Sequence, residues 1–236
     1  MENNNKQKIS TPTAIIVAGF IIMIAILITR GGSAGNTAVA KEKTLSEQVG
    51  VSKEALASCI KSTDSAALSK NISTSVENAM SNLPSNQKGT PYSVVIGKDG
   101  VKTEILGANT YENVKKIIDD ATIGKVTKPY VGKIVESEPG DHTLGNPNAV
   151  VKIIEYSDYE CPYCKAFHST LDRIIKESNG SVSWTYRHWP IHQGSFAKLT
   201  AAECVAQIKG NDAFWEYSSL LFGLLKTQAD PVTDQL

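Results

Sequence analysis

The sequence predicts an α/β domain, and three stretches carry that prediction. One is the β-branched, mostly apolar run Val150-Val151-Lys152-Ile153-Ile154-Glu155-Tyr156, which suits a central strand buried on both faces. Directly after it, Phe167, Leu171, Ile174 and Ile175 recur at i, i+4, i+7 and i+8, the apolar stripe of a helix that starts at or near Cys161. The third is Val182, Trp184, Tyr186 and His188, whose alternation marks a second strand.

The elements follow in chain order. Residues 11 to 29 carry no charge and come after Lys6 and Lys8, the polarity of an export signal. The core Ala14 to Ile28 is long for a signal-peptide core and slightly short for a full span. Ala38-Val39-Ala40 resembles a signal-peptidase site but lies ten residues beyond Ile28. The reading is an uncleaved transmembrane anchor over 14–29 with residues 1–13 in the cytoplasm, cleavage being the alternative; in both cases the remainder is outside. Residues 30–43, rich in Gly, Ala, Ser and Thr, read as a flexible tether.

Ser52 is a cap for a helix with the stripe Leu56, Cys59, Ile60, and a second helix covers Ala66 to Met80. Pro91 to Ile96, the turn Lys98-Asp99-Gly100 and Val101 to Leu106 read as a β-hairpin. Val114, Ile117, Ile118 and Ala121 then mark a helix after Asn109-Thr110. Residues 122–149, with three prolines and four glycines, form a long connection holding one short strand at Val131 to Val135. Two helices end the chain, with stripes Ala197, Ala201, Cys204, Val205, Ile208 and Phe214, Tyr217, Leu221, Leu225.

Length and composition, 236 residues with 41% hydrophobic and 20% charged, fit one domain of moderate size plus appendages. Lysine plus arginine equals aspartate plus glutamate at 24 each, which argues against a nucleic-acid partner. Four cysteines, an even count, agree with an oxidising, exported location.

Cys161-Pro162-Tyr163-Cys164 sits where the strand passes into the helix. Pro162 falls in the first turn, where its fixed φ and missing N–H cost nothing. The unpaired N–H groups and positive dipole end then favour thiolate at Cys161, with Cys164 the less exposed partner. A thiol of pKa about 8.5 is only ~3% ionised at pH 7, whereas one shifted to about 6 is roughly 90% ionised. A zinc site lacks a second ligand pair, because His168 lies only four residues past Cys164 on the same helix and Cys59 and Cys204 stand alone. A purely structural bridge over so short a loop gains little chain-entropy stabilisation. Reversible thiol–disulfide exchange is the leading reading, with no metal and no cofactor.

The segment Ile153-Ile154-Glu155-Tyr156-Ser157-Asp158-Tyr159-Glu160-Cys161-Pro162-Tyr163-Cys164, with Tyr186-Arg187-His188-Trp189-Pro190 and Ala202-Glu203-Cys204, resembles the first half of an exported disulfide oxidoreductase of the DsbA family. Gly89-Thr90-Pro91-Tyr92-Ser93-Val94-Val95-Ile96-Gly97-Lys98-Asp99-Gly100, followed by Gly107-Ala108-Asn109-Thr110-Tyr111, resembles its second half. The halves stand in reverse order, at 44–122 and 141–236, joined by a linker at 123–140. No part of the pattern occurs twice, and Asp230 to Leu236 would run naturally into Leu45 to Gly50. The resemblance therefore implies a thioredoxin-like fold with a helical insertion, circularly permuted, its new termini at a surface site that tolerates breaks. A degenerate copy followed by a truncated one, or halves exchanged between two chains, are the alternatives.

The resemblance also assigns roles. Pro91 is expected to be cis and to pack against the cysteine pair, with Thr90 offering backbone hydrogen bonds to an extended substrate beside Pro162 and Tyr163. Glu155, six residues before Cys161, matches the family's buried acid near the resolving cysteine. An ordinary strand-entry turn at Thr90-Pro91 and a solvated carboxylate at Glu155 are the bland alternatives. Glu160 reads as a surface charge beside the nucleophile. Some family members carry a second disulfide in the helical insertion, which implies a Cys59–Cys204 pair; two buried free cysteines are the alternative. The implied partners are exported proteins with free thiols and a membrane redox protein that recycles the pair, acting on a monomer or a half-exchanged dimer. Oxidation, isomerisation or reduction, or a redox-inactive tethered binding module, all remain compatible with these residues.

Overall fold

The computed structural model describes residues 43–225, so the expected anchor, most of the tether and residues 226–236 lie outside the described residues. Among the described residues no helix is long and apolar enough to cross a membrane. After α1 (Leu45–Gln48), Ser52 accepts from the Ala55 N–H to open α2 (Lys53–Ser62), and Asp64 accepts from the Ala66 and Ala67 N–H groups to open α3 (Ser65–Ala79). These short oxygen-bearing side chains satisfy donors that the first turn leaves unpaired.

The hairpin consists of β1 (Tyr92–Ile96) and β2 (Lys102–Leu106), antiparallel from Tyr92 opposite Leu106 to Ile96 opposite Lys102. Asp99 and Gly100 turn it with φ of 59° and 73°, the left-handed region that an Asp-Gly pair tolerates. Thr110 then caps α4 (Tyr111–Thr122). Beyond the connection come β3 (His142–Gly145), β4 (Val151–Ser157), α5 (Pro162–Glu177), β5 (Val182–His188), α6 (Ser195–Lys209) and α7 (Asn211–Gly223).

One five-stranded sheet has the order β2-β1-β4-β5-β3. β4 and β5 are parallel, with α5 as their crossover, and the other pairs are antiparallel. The hairpin thus lies directly on the strand that leads to the cysteines, Ser93 opposite Glu155. All five residues of β1 and all seven of β5 are buried, as expected for strands covered on both faces. On one face Val95, Ile153 and Trp184 meet Phe167 and Leu171 of α5 and Val114 and Ile118 of α4. On the other, Val94, Ile154 and Tyr156 meet Val76 and Ala79 of α3 and Met80 at its C-cap.

The connection departs from expectation. Val131 to Val135 form no strand, and Val131 is 77% exposed. The preceding residue pair that touches the sheet is a single bridge between Thr103 and Pro129, and proline has no N–H with which to extend a ladder. The chain turns instead toward α3, where the Tyr130 hydroxyl donates to Ala79 O and the Lys133 N–H to Asn78 O. The strand of this region is β3, which begins seven residues beyond Val135 and pairs His142 with Tyr186 and Leu144 with Trp184. Arg187, buried on β5, fastens the approach to β3 through a two-pronged pair with Asp141 and bonds to Glu138 and the Val135 carbonyl.

Two further links tie distant segments. Cys59 of α2 and Cys204 of α6 are joined in a disulfide, which fastens to the body a helix with no buried residue of its own. Glu203 Oε1 meets His142 Nε2 at 2.9 Å and His188 Nε2 at 2.8 Å. Burial opposes its charge, but the two imidazoles hold the Glu203 carboxyl down at about 2.

Candidate active site

β4 ends at Ser157, and the next four residues aim the first cysteine. Asp158, fully buried, accepts from the N–H groups of Glu160, Ile191 and His192 at 2.7, 2.7 and 3.0 Å and from the Ser195 hydroxyl. It therefore locks the turn before α5 to the loop after β5. Burial alone would raise its pKa, but these bonds keep it below the usual carboxylate range. Sequence reasoning gave Asp158 no role; an acid directly after a buried strand and three residues before a reactive cysteine was the available signal.

Cys161 is the N-cap residue of α5 and Pro162 its first helical residue. Cys161 is 3% exposed and Cys164 fully buried, and both are free thiols. The Thr90–Pro91 peptide is cis. Cys161 Sγ lies 3.5 Å from the Thr90 carbonyl oxygen, and Gly107 N–H donates to Pro91 O at 2.9 Å, holding that loop to the end of β2. Residues some seventy positions apart thus form one site. Tyr163, about half exposed, and Pro162 stand on its outer side. Glu160 is half-buried rather than free on the surface, paired with Lys198 at 2.9 Å.

The two thiols are electrostatically unequal. A hydrogen bond from Cys164, helped by the Cys164 and Tyr163 backbone N–H groups and opposed by burial, takes the Cys161 thiol down to about 6. At pH 7 such a group is roughly 90% thiolate. Burial first, and the neighbouring Cys161 second, push the Cys164 thiol well above its ordinary value. Behind them Glu155 is wholly buried, its Oε2 accepting from Trp184 Nε1–H at 2.9 Å. Burial pushes its carboxyl up to about 8, against the opposing bonds from Ser157 and Trp184, so at neutral pH it holds a proton. His168 packs edge-on against Trp184 at 4.9 Å, and burial takes its imidazole down to about 4. Among the described residues no group of three His, Cys, Asp or Glu could hold a metal ion.

The Cys161 shift has a consequence for stability. Its folded pKa of about 6 lies below the ordinary thiol value of 9.0, so the dithiol form gains stability as pH rises through this window and loses it as pH falls toward 6. Glu155, raised by burial, works in the opposite sense, and because the Cys161 charge adds to that rise it offsets part of the gain of the reduced form. Denaturant unfolding of reduced and oxidised protein from pH 5 to 9 should show the reduced form gaining on the oxidised form, steepest between pH 6 and 9. A difference independent of pH would contradict the assigned thiolate.

A Cys-X-X-Cys pair at the start of the helix that follows the central strand of such a sheet defines a thioredoxin-fold oxidoreductase site. Residues 137–233 match the family model described as Thioredoxin. The chain is 32% identical over 85 residues to a Na(+)/H(+) antiporter NhaA 1 of Mycolicibacterium gilvum, a match covering 35% of this chain and 13% of the antiporter. It is 31% identical over 100 residues to Disulfide bond formation protein D of Bacillus subtilis, covering 41% of this chain and 42% of that protein. Among solved structures it is similar to alpha-DsbA1 of Wolbachia pipientis, with a TM-score of 0.35 and 20% identity over 41% of this chain and 51% of that one. The chain spans well under two thirds of the length of the curated relatives it matches. The site geometry, the family match and the Bacillus relative agree on a thioredoxin-like domain carrying a dithiol redox site.

Proposed function

We propose that the protein is a membrane-anchored, extracytoplasmic thiol–disulfide oxidoreductase that forms disulfides in exported proteins through Cys161 and Cys164. The observation that carries this reading is Cys161 itself, a low-pKa thiol at the N-terminus of α5 with Cys164 buried one turn behind. A substrate thiolate attacks the oxidised pair at Cys161, the S–S bond breaks toward Cys164, and a second substrate thiol releases Cys161. A low leaving-group pKa speeds that release and stabilises the reduced protein, the property of an oxidant.

The proposed domain is circularly permuted, with 44–122 as the second half of the family pattern, 123–140 as linker and 141–236 as the first half. The placement of β1 against β4 within one chain supports this order over exchange between chains. The proposed partners are exported proteins with free thiols and a membrane redox protein that re-oxidises the pair, reached from the anchor at 14–29. Pro91 and Thr90, with Pro162 and Tyr163 at the rim, are the proposed substrate contacts.

Equilibration of the full chain with glutathione buffers, followed by oxidation of a reduced dithiol peptide, tests the reading. A potential above roughly −200 mV with net peptide oxidation is the expected result; one below about −250 mV makes the protein a reductase instead. Peptide binding with no exchange at all would leave only a tethered binding module.

A further inference from the structure

Buried polar atoms in folded proteins almost always have a hydrogen-bond partner, so a concentration of unpaired ones calls for a chemical reason. Thr90 Oγ1, Ser93 Oγ, Glu155 Oε1, Ser157 Oγ and Tyr186 Oη are all buried and lack a hydrogen bond of ordinary geometry. The strand registers set Ser93, Glu155 and Tyr186 in one row across β1, β4 and β5. Ser157 lies two residues beyond Glu155 and so on the same face. Thr90 is the residue whose carbonyl meets Cys161 Sγ. These atoms form a polar layer under the cysteine pair, inside an otherwise apolar core.

Ser157 is central to this layer. Its hydroxyl acts on the Glu155 carboxyl, on the Cys164 thiol and on the Tyr186 phenol alike. Trp184 occupies Glu155 Oε2, which leaves Oε1 as the oxygen that carries the proton. We propose that Ser157 is a further catalytic residue, whose hydroxyl passes a proton between Glu155 and Cys164 Sγ, and that the Tyr186 hydroxyl is a positioning group that orients Ser157.

The step rests on the exchange reaction proposed above and balances within the site. A substrate thiolate forms a bond to Cys161 Sγ as the Cys161–Cys164 bond breaks, and the electron pair of that bond goes to Cys164 Sγ. Ser157 gives its proton to Cys164 while receiving the one on Glu155, so the products are a Cys164 thiol, a Glu155 carboxylate and an unchanged serine. In reverse, the same path removes the proton from Cys164 when it attacks the mixed disulfide. The groups facing the path are Cys161, Cys164 and His168 from the turn and α5, Trp184 and Tyr186 from β5, and Thr90 and Ser93 from β1 and its approach.

Rapid mixing of the oxidised full chain with a thiol peptide, over a range of pH, tests the relay. Ser157→Ala is expected to slow the reaction on the order of 100-fold, the scale of general acid–base assistance, and to remove the Glu155 limb of the pH profile. The thiolate absorbance titration of Cys161 stays that of the parent, and Ser157→Thr, which keeps the hydroxyl, restores the rate. Tyr186→Phe gives a smaller loss with a displaced pH profile. An active parent with Ser157→Ala at the parent rate and profile overturns the relay alone, and an inert parent overturns the oxidoreductase reading and the relay with it. If Ser157→Ala does not fold, the parent in deuterated solvent decides: a slower step supports the relay, and an unchanged rate refutes it.

Discussion

Replacing Cys161 by serine is expected to abolish thiol–disulfide exchange, and replacing Cys164 by serine to give a protein that captures substrates and cannot release them by itself. The reason lies in the inequality of the two sulfurs. Cys161 is the group held largely as thiolate near neutral pH, whereas Cys164 is fully buried with its pKa driven well above the ordinary thiol value. A serine hydroxyl at 161 has no accessible anion, so neither attack nor departure is open to it. With Cys161 present and Cys164 absent, the mixed disulfide forms and no internal thiol cleaves it. Incubation of each full-length variant with a peptide disulfide and non-reducing electrophoresis distinguishes the two: no adduct with Cys161→Ser, a stable adduct with Cys164→Ser. Exchange by Cys161→Ser at the parent rate would show that this pair is not the redox centre.

The second large effect is on stability. Converting both Cys59 and Cys204 to alanine removes a bridge across a sequence separation of 145 residues. The chain-entropy relation gives an upper value of about 5 kcal/mol for such a loop, and measured losses are typically about 2 to 4 kcal/mol. For a domain of this size that corresponds to a melting temperature lower by roughly 5 to 15 °C. The Cys161 thiolate titration should be unchanged, because the bridge joins α2 to α6 and contributes no group to the nucleophile's surroundings. An unchanged melting temperature would mean that the link adds no constraint to the unfolded chain.

The sequence made the buried strands, the hairpin and the cysteine helix legible because each carries a strong local signal. β4 and β5 have β-branched or aromatic runs, the hairpin has an Asp-Gly turn, and α5 has a proline just inside its start. β3 was illegible because His142-Thr143-Leu144-Gly145 has neither length nor alternation; it is a strand only because β5 offers an open edge. Val131 to Val135 misled for the converse reason, having the residue types of a strand with no ladder to join. At the site, Cys161 and Cys164 follow from spacing alone. Ser93, Ser157 and Tyr186 depend on the alignment of three strands, which no local pattern specifies. The Glu203 pair with His142 and His188 depends in the same way on residues that only the folded sheet brings together.

The Cys59–Cys204 bridge bears on more than stability. It closes a covalent ring, and both sides of the site lie on that ring: the Thr90-Pro91 loop and the cysteine pair fall between positions 59 and 204. When the sheet opens between β1 and β4, the two sides remain at a high effective concentration set by the ring rather than by the concentration of the protein. Re-closure is then first order and favours the same chain over a neighbour. For the permuted order proposed above, the ring opposes exchange of halves between molecules.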